Sequence, residues 1–192
     1  MRLREICCDP RLVADNWTGS SAKLDACLEL VTEAVAGGHR ILLFSQFTSM
    51  LELLAKRLDE AGVSHFTLQG STPKPVRAEQ VRRFNQGEAD VFLISLRAGG
   101  TGLNLTAADI VIHYDPWWNL AAQNQATDRA YRIGQRNPVQ VYRLIAQDTI
   151  EEKIVELQQA KQSLADTVTG GADGAILSMN PEQLLQLLGE EA

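Results

Sequence analysis

Three uninterrupted apolar runs constrain this chain most: Ile41–Ser45 (ILLFS), Val91–Ser95 (VFLIS) and Ile110–Tyr114 (IVIHY). Each has the length of a strand, and none alternates with polar residues as a strand with one wet face does. Such runs belong to strands covered on both faces, the usual condition of a parallel sheet. Between them the apolar spacing turns helical. Ser20 or Ser21 suits the N-cap of a helix carrying Leu24, Leu28, Val31 and Val35, which Gly37–Gly38 ends. Phe47, Leu51, Leu54 and Leu58 mark a second helix closed by Gly62, and Val76 to Asn85 a third. His65–Gln69 and Val139–Ile145 read as shorter strands. Thr149 with Glu152 reads as the capping box of a helix bearing Ile150, Ile154, Leu157 and Leu164. Gly170 to Gly174 is a flexible link before a last short helix, Leu184 to Leu188.

Strands alternating with helices predict an α/β fold: three αβα layers around a mainly parallel central sheet, with a helical extension at the C-terminal end. Residues 21–148 form that domain in this reading. Residues 1–20 are the end of a preceding helical segment or linker, and 149–192 the extension and acidic tail. Sheets of this kind bind ligands beyond the carboxyl ends of their strands. The loops after Ser45, Ser95 and Tyr114 are therefore the candidate site.

Two segments there carry chemistry. Leu96 to Leu105 (LRAGGTGLNL) is a glycine-rich loop, whose backbone amides can come close to a phosphate or ribose. A tight strand-to-helix turn would need the same glycines. Gln125 to Gln135 (QATDRAYRIGQ) places Gln125, Asp128, Arg129 and Arg132 on one face if it is helical throughout. Two guanidinium groups one turn apart suit the oxygens of a transferring phosphoryl group, being always charged and donating in a fork. A solvated helix face is the plain alternative. Asp59-Glu-Ala-Gly62 has the letters of an acidic ATPase box. It ends an amphipathic helix, however, so nothing aims its carboxylates at magnesium.

Composition narrows the classes. No run approaches the ~18 apolar residues of a membrane span, and no signal-peptide core opens the chain. The expectation is an intracellular protein without a membrane partner. Cys7, Cys8 and Cys27 lack zinc-ligand spacing and His39, His65 and His113 are scattered, so no structural metal is expected. The net charge of −6 is uneven. From Gln147 onward nine acidic residues face two lysines, a balance of −7, which leaves +1 for residues 1–146. Lys74, Arg77, Arg82 and Arg83 form a basic cluster in that body, or else one polar helix face.

Together these segments resemble the second RecA-like lobe of the Swi/Snf-type DNA-dependent ATPases of helicase superfamily two. Gln125, Arg129 and Arg132 match the pattern Gln-x-x-Gly-Arg-x-x-Arg of motif six, with Asp128 for the glycine as in Swi/Snf-type members and Tyr131 where histidine is more usual. Ile94 to Asn119 (ISLRAGGTGLNLTAADIVIHYDPWWN) is similar to motif five and its extension. Leu120 departs from the family's proline. Ile41 to Phe47 resembles motif four, and Gln69-Gly-Ser-Thr72 with Arg77 and Arg83 resembles the segment after it. The likeness runs from about Ser21 to Leu164, and residues 1–20 look like the helical stretch before that lobe.

The resemblance implies roles. Arg129 and Arg132, with Gln125, would act on ATP as arginine fingers. Gly102 and Asn104 would face the nucleotide. Ser45, Gln46, Gly70, Ser71, Arg97, Thr101 and Trp118 would face double-stranded DNA. No Gly-x-x-x-x-Gly-Lys-Ser/Thr loop occurs in the chain. ATP and Mg would thus be bound mainly by an N-terminal RecA-like lobe of the same protein, and this piece alone would be inactive. Two other classes stand beside this one: a non-catalytic interaction module on the same fold, and a dinucleotide-binding oxidoreductase domain. For the latter, Gly100 and Gly102 lack the third glycine, Leu105 standing in its place.

Overall fold

The computed structural model of the chain describes residues 2–14, 16–96, 103–130 and 138–169. Two compact units divide it, residues 1–155 and residues 156–192. The first unit opens with α1 (Arg2–Cys8) and a short 3-10 turn, then α2 (Ala22–Ala36), β1 (Ile41–Ser45), α3 (Thr48–Glu60) and β2 (His65–Leu68). It continues through α4 (Lys74–Asn85), β3 (Val91–Ser95), β4 (Ile110–His113), α5 (Leu120–Thr127) and β5 (Gln140–Arg143) to the start of α6 (Ile150–Thr169).

All five strands are parallel, in the order β2-β3-β1-β4-β5. β1 is central, with Ile41 beside both Val91 and Ile110 and Phe44 beside both Ile94 and His113. Alternate side chains of β1, β3 and β4, which are buried throughout, feed two cores. Ile41, Leu43, Leu93 and Ile112 pack with Leu24, Cys27, Met50, Leu51, Leu54 and Leu58 of α2 and α3. Leu42, Phe44, Phe92, Ile94 and Val111 pack with Phe84 of α4 and Ala126 of α5. Helices thus cover both faces, which is why these three strands show no polar alternation. Each fully buried Leu or Ile contributes about 1.5–3 kcal/mol.

The helix ends follow local chemistry. Gly62 adopts φ +70° and closes α3, its N–H donating to Asp59 O at 3.0 Å and that of Val63 to Leu58 O at 2.9 Å. Asp59 and Glu60 therefore sit at a helix end, where Glu60 pairs with Arg57. At α6 the cap is shifted by one residue. Thr149 Oγ1 accepts from Glu151 N at 3.1 Å, while Glu152 Oε2 reaches back to Asp148 N at 2.8 Å.

One expectation requires correction. The helix carrying motif six ends at Thr127, and Asp128 to Ala130 form a turn. Gln125 and Asp128 are exposed while Arg129 is buried, so these three do not share a helix face. The proposed Leu184–Leu188 helix and the glycine link lie outside the described residues.

Candidate nucleotide and DNA site

The strand order reverses at β1, so the crevice beyond its carboxyl end is where a ligand of such a sheet sits. Asp115, just past β4, organises this edge. It is 1% exposed and accepts a 2.6 Å hydrogen bond from Ser45 Oγ. Gln46 donates to the same carboxylate from its backbone N–H, at 3.3 Å, and from its side-chain amide, which also lies 3.3 Å from Pro116 O. Burial pushes the Asp115 carboxyl above the ordinary carboxylate range, opposed by the bonds from Ser45 and Gln46 and by the charge of Lys23. The loop after β4 is thereby fastened to the end of β1.

Ser45 is therefore not the surface group that the strand-end reading expects. It is fully buried; its hydroxyl donates to Asp115 and accepts from Phe47 N at 3.2 Å. Gln46 is half-buried and lines an open cleft of about 480 Å³ with Thr48, Ser49, Gln69, Gly70, Ser71 and Ser95, and Glu5 at its edge. Gly70 and Ser71 are exposed, and a β-carbon on Gly70 would meet nothing within 4 Å. Thr72 closes the turn beneath them, its Oγ1 accepting from Gln69 N at 3.0 Å. Gln46, Gly70 and Ser71 thus share one cleft, with Phe47 in its wall.

Trp118 is 44% exposed. The Arg4 guanidinium lies 5.7 Å from its ring centroid and 5.9 Å from that of Phe47, and donates to Pro116 O at 2.8 Å. This clamp from α1 escaped the sequence reading, because nothing near Arg4 in the chain points to residues over a hundred positions away. Two of the four cations in the basic cluster are paired with carboxylates. Arg82 donates twice to Glu79, at 2.9 and 2.5 Å, and Arg83 pairs with Glu88 at 2.7 Å while lying over Phe66.

Asn104, expected to face a nucleotide, is exposed, and its carbonyl accepts from Asn85 Nδ2 at 2.8 Å. The next residue, Leu105, donates its N–H to Arg129 O at 3.2 Å. The segment of motif five and the turn of motif six are therefore joined. Arg129 is only 3% exposed, with Gln125 on the helix before it. Arg97, Thr101, Gly102 and Arg132 lie outside the described residues. Among the described residues no cluster of three His, Cys, Asp or Glu side chains could hold a metal ion. No described helix is long and apolar enough to cross a membrane.

Two further groups anchor the edge. His113 on β4 is buried, stacks on Phe44 at 5.5 Å, and has its Nε2 2.9 Å from Thr127 Oγ1. Burial, with Arg143 adding to it, holds its pKa down at about 4, so it is neutral at physiological pH. Lys23 donates to both carboxylate oxygens of Glu151, at 2.7 and 2.5 Å, and lies 5.2 Å from the centroid of Tyr114, whose hydroxyl donates to Cys8 O.

A five-stranded parallel sheet between helical layers, with polar loops gathered at its carboxyl edge, defines a RecA-like α/β lobe. The family model of the helicase conserved C-terminal domain matches residues 22–134, and the chain belongs to that family. A putative ATP-dependent helicase/translocase, YwqA of Bacillus subtilis, is 41% identical over 192 residues, covering 97% of this chain and 21% of that protein. An uncharacterized ATP-dependent helicase of Mycoplasma pneumoniae is 40% identical over 188 residues, covering 97% and 18%. The chromatin-remodeling ATPase INO80 of Aspergillus niger is 47% identical over 168 residues, covering 86% and 10%. Among solved structures, the C-terminal part of the Fun30 ATPase domain superposes with a TM-score of 0.69 at 34% identity, over 81% of this chain and 53% of that one. The chain thus spans about a fifth or less of the curated relatives it matches. These relatives agree with the C-terminal lobe of a Swi/Snf-type helicase.

Proposed function

We propose that this chain is the second motor lobe of an ATP-driven, double-stranded DNA translocase. It supplies arginines to a nucleotide held mainly by a first lobe, and it grips one DNA strand from the cleft at its sheet edge. The observation that carries this is the Leu105–Arg129 backbone bond, which couples the Asn104 segment to the motif-six turn. Arg129 and Arg132, with Gln125, then act on the charge that grows at the γ-phosphate; Asn104 and Gly102 border the nucleotide. Gln46, Gly70, Ser71, Arg97, Thr101 and Trp118 face the duplex, positioning the lobe on phosphates without reading sequence. ATP closes the two lobes, hydrolysis opens them, and the cycle advances the motor. Mg is held by carboxylates of the other lobe.

The reading is tested with the purified chain. Alone it should hydrolyse no ATP with or without DNA, since no phosphate-cradling Gly-x-x-x-x-Gly-Lys loop is present in it. It should bind duplex DNA weakly, without sequence preference, and less as salt rises. DNA-stimulated hydrolysis by the chain alone, or strongly sequence-selective binding, overturns the two-lobe account.

A further inference from the structure

We propose that His113 and Thr127 are positioning residues that tie the nucleotide-facing turn to the DNA-facing loop, so that the two move as one body. This rests on reading Arg129 and Arg132 as nucleotide-facing and Trp118 as DNA-facing.

The path is short and continuous. His113 Nε2 lies 2.9 Å from Thr127 Oγ1, and Thr127 is the last residue of α5, two before Arg129. The Thr127 hydroxyl is within 3.3 Å of Gln123 O and donates there, so the imidazole donates from Nε2. One helical turn earlier, Gln123 Oε1 accepts from Trp117 N at 3.3 Å. Trp117 immediately precedes Trp118. From the far side, Leu105 N holds Arg129 O. The imidazole itself is buried and stacked on Phe44 with an interplanar angle of 21°.

Packing alone does not require this arrangement. An apolar residue of similar volume at position 113 would fill the space against Phe44 equally well. What histidine adds is direction: one N–H aimed at the helix end where the motif-six turn begins. A displacement of the Trp117–Trp118 loop by DNA would be carried through Gln123 and the α5 end to that turn. Such groups act through geometry, and small misplacements near a reacting phosphate are felt strongly in rate.

The test uses the full two-lobe protein with Thr127→Val, Thr127→Ser, His113→Phe and the Thr127→Val/His113→Phe pair, with Arg132→Ala as the control on the underlying reading. Thr127→Val and His113→Phe should each lower DNA-stimulated kcat by roughly ten- to a hundredfold, with KM for ATP and duplex Kd within about twofold of the parent. Thr127→Ser, which keeps the hydroxyl, should stay near the parent. The double variant should be no worse than the poorer single one, because both remove the same bond. If Arg132→Ala abolishes hydrolysis but Thr127→Val keeps the parent kcat, the tie is refuted and the motor-lobe reading survives. If Arg132→Ala keeps the parent rate, the motor-lobe reading itself fails. Should His113→Phe not fold, the Val/Ser contrast at Thr127 decides alone.

Discussion

His113 should make the stability of this protein depend on pH between about 6.5 and 4. The side chain is 1% exposed and held at about 4, against the ordinary histidine value of 6.5. In the unfolded chain it takes up a proton as pH falls through 6.5, whereas in the folded chain it does not until about 4. The unfolded state therefore binds more protons throughout that window, and folding stability falls as pH falls. Below the folded value both states are protonated and the loss levels off. From those two pKa values, lowering the pH from about 7.5 to about 5 costs about 2 kcal/mol, and the full loss below pH 4 approaches about 3 kcal/mol. Urea unfolding of the purified chain at both pH values measures the difference, and His113→Phe separates it from the titration of carboxylates. That variant keeps an aromatic ring beside Phe44 but has nothing to protonate. Its stability should start about 1 kcal/mol below the parent near neutrality, for the lost bond to Thr127, and then fall about 2 kcal/mol less on acidification. Parallel pH dependences in parent and variant would refute a neutral, buried His113.

Lys23→Met removes the cation from a nearly dry ion pair whose side chains are 8% and 2% exposed. It should destabilise the chain by about 3–5 kcal/mol in urea, and Glu151→Gln on top should restore part of the loss, because the isolated carboxylate is the costly species. Arg4→Ala should free the exposed Trp118 ring, altering its fluorescence and weakening duplex binding a few-fold, in line with about 0.5–1 kcal/mol for a half-exposed cation–π contact. Arg4→Lys should restore little, since a planar guanidinium between two rings is lost.

The fold was legible where local pattern and tertiary burial agree. Ile41–Ser45 and Val91–Ser95 appear at their expected bounds, because residues that alternate between two cores are all apolar. What stayed hidden depended on contacts far apart in the chain. Periodicity continues the motif-six helix past Thr127, but a turn forms there, and Leu105 N, twenty-four positions away, donates to Arg129 O. Ser45 looks like an exposed strand end until Asp115, seventy positions on, covers it. The Lys74–Arg83 cluster looks basic when only cations are counted, yet Glu79 lies three residues before Arg82 and Glu88 five after Arg83. His113 sits in an apolar run where nothing local distinguishes a packed imidazole from one aimed at a helix end.

The central claim is that the motif-six arginines act in trans on ATP held between two lobes. Arg132→Ala in the full two-lobe protein tests it most directly, read as DNA-stimulated kcat alongside duplex affinity. Hydrolysis should fall by about 10³-fold or more while duplex binding is retained, and Arg132→Lys should not rescue it, since lysine keeps the charge but loses the fork. ATP turnover by Arg132→Ala at near the parent rate would contradict the account.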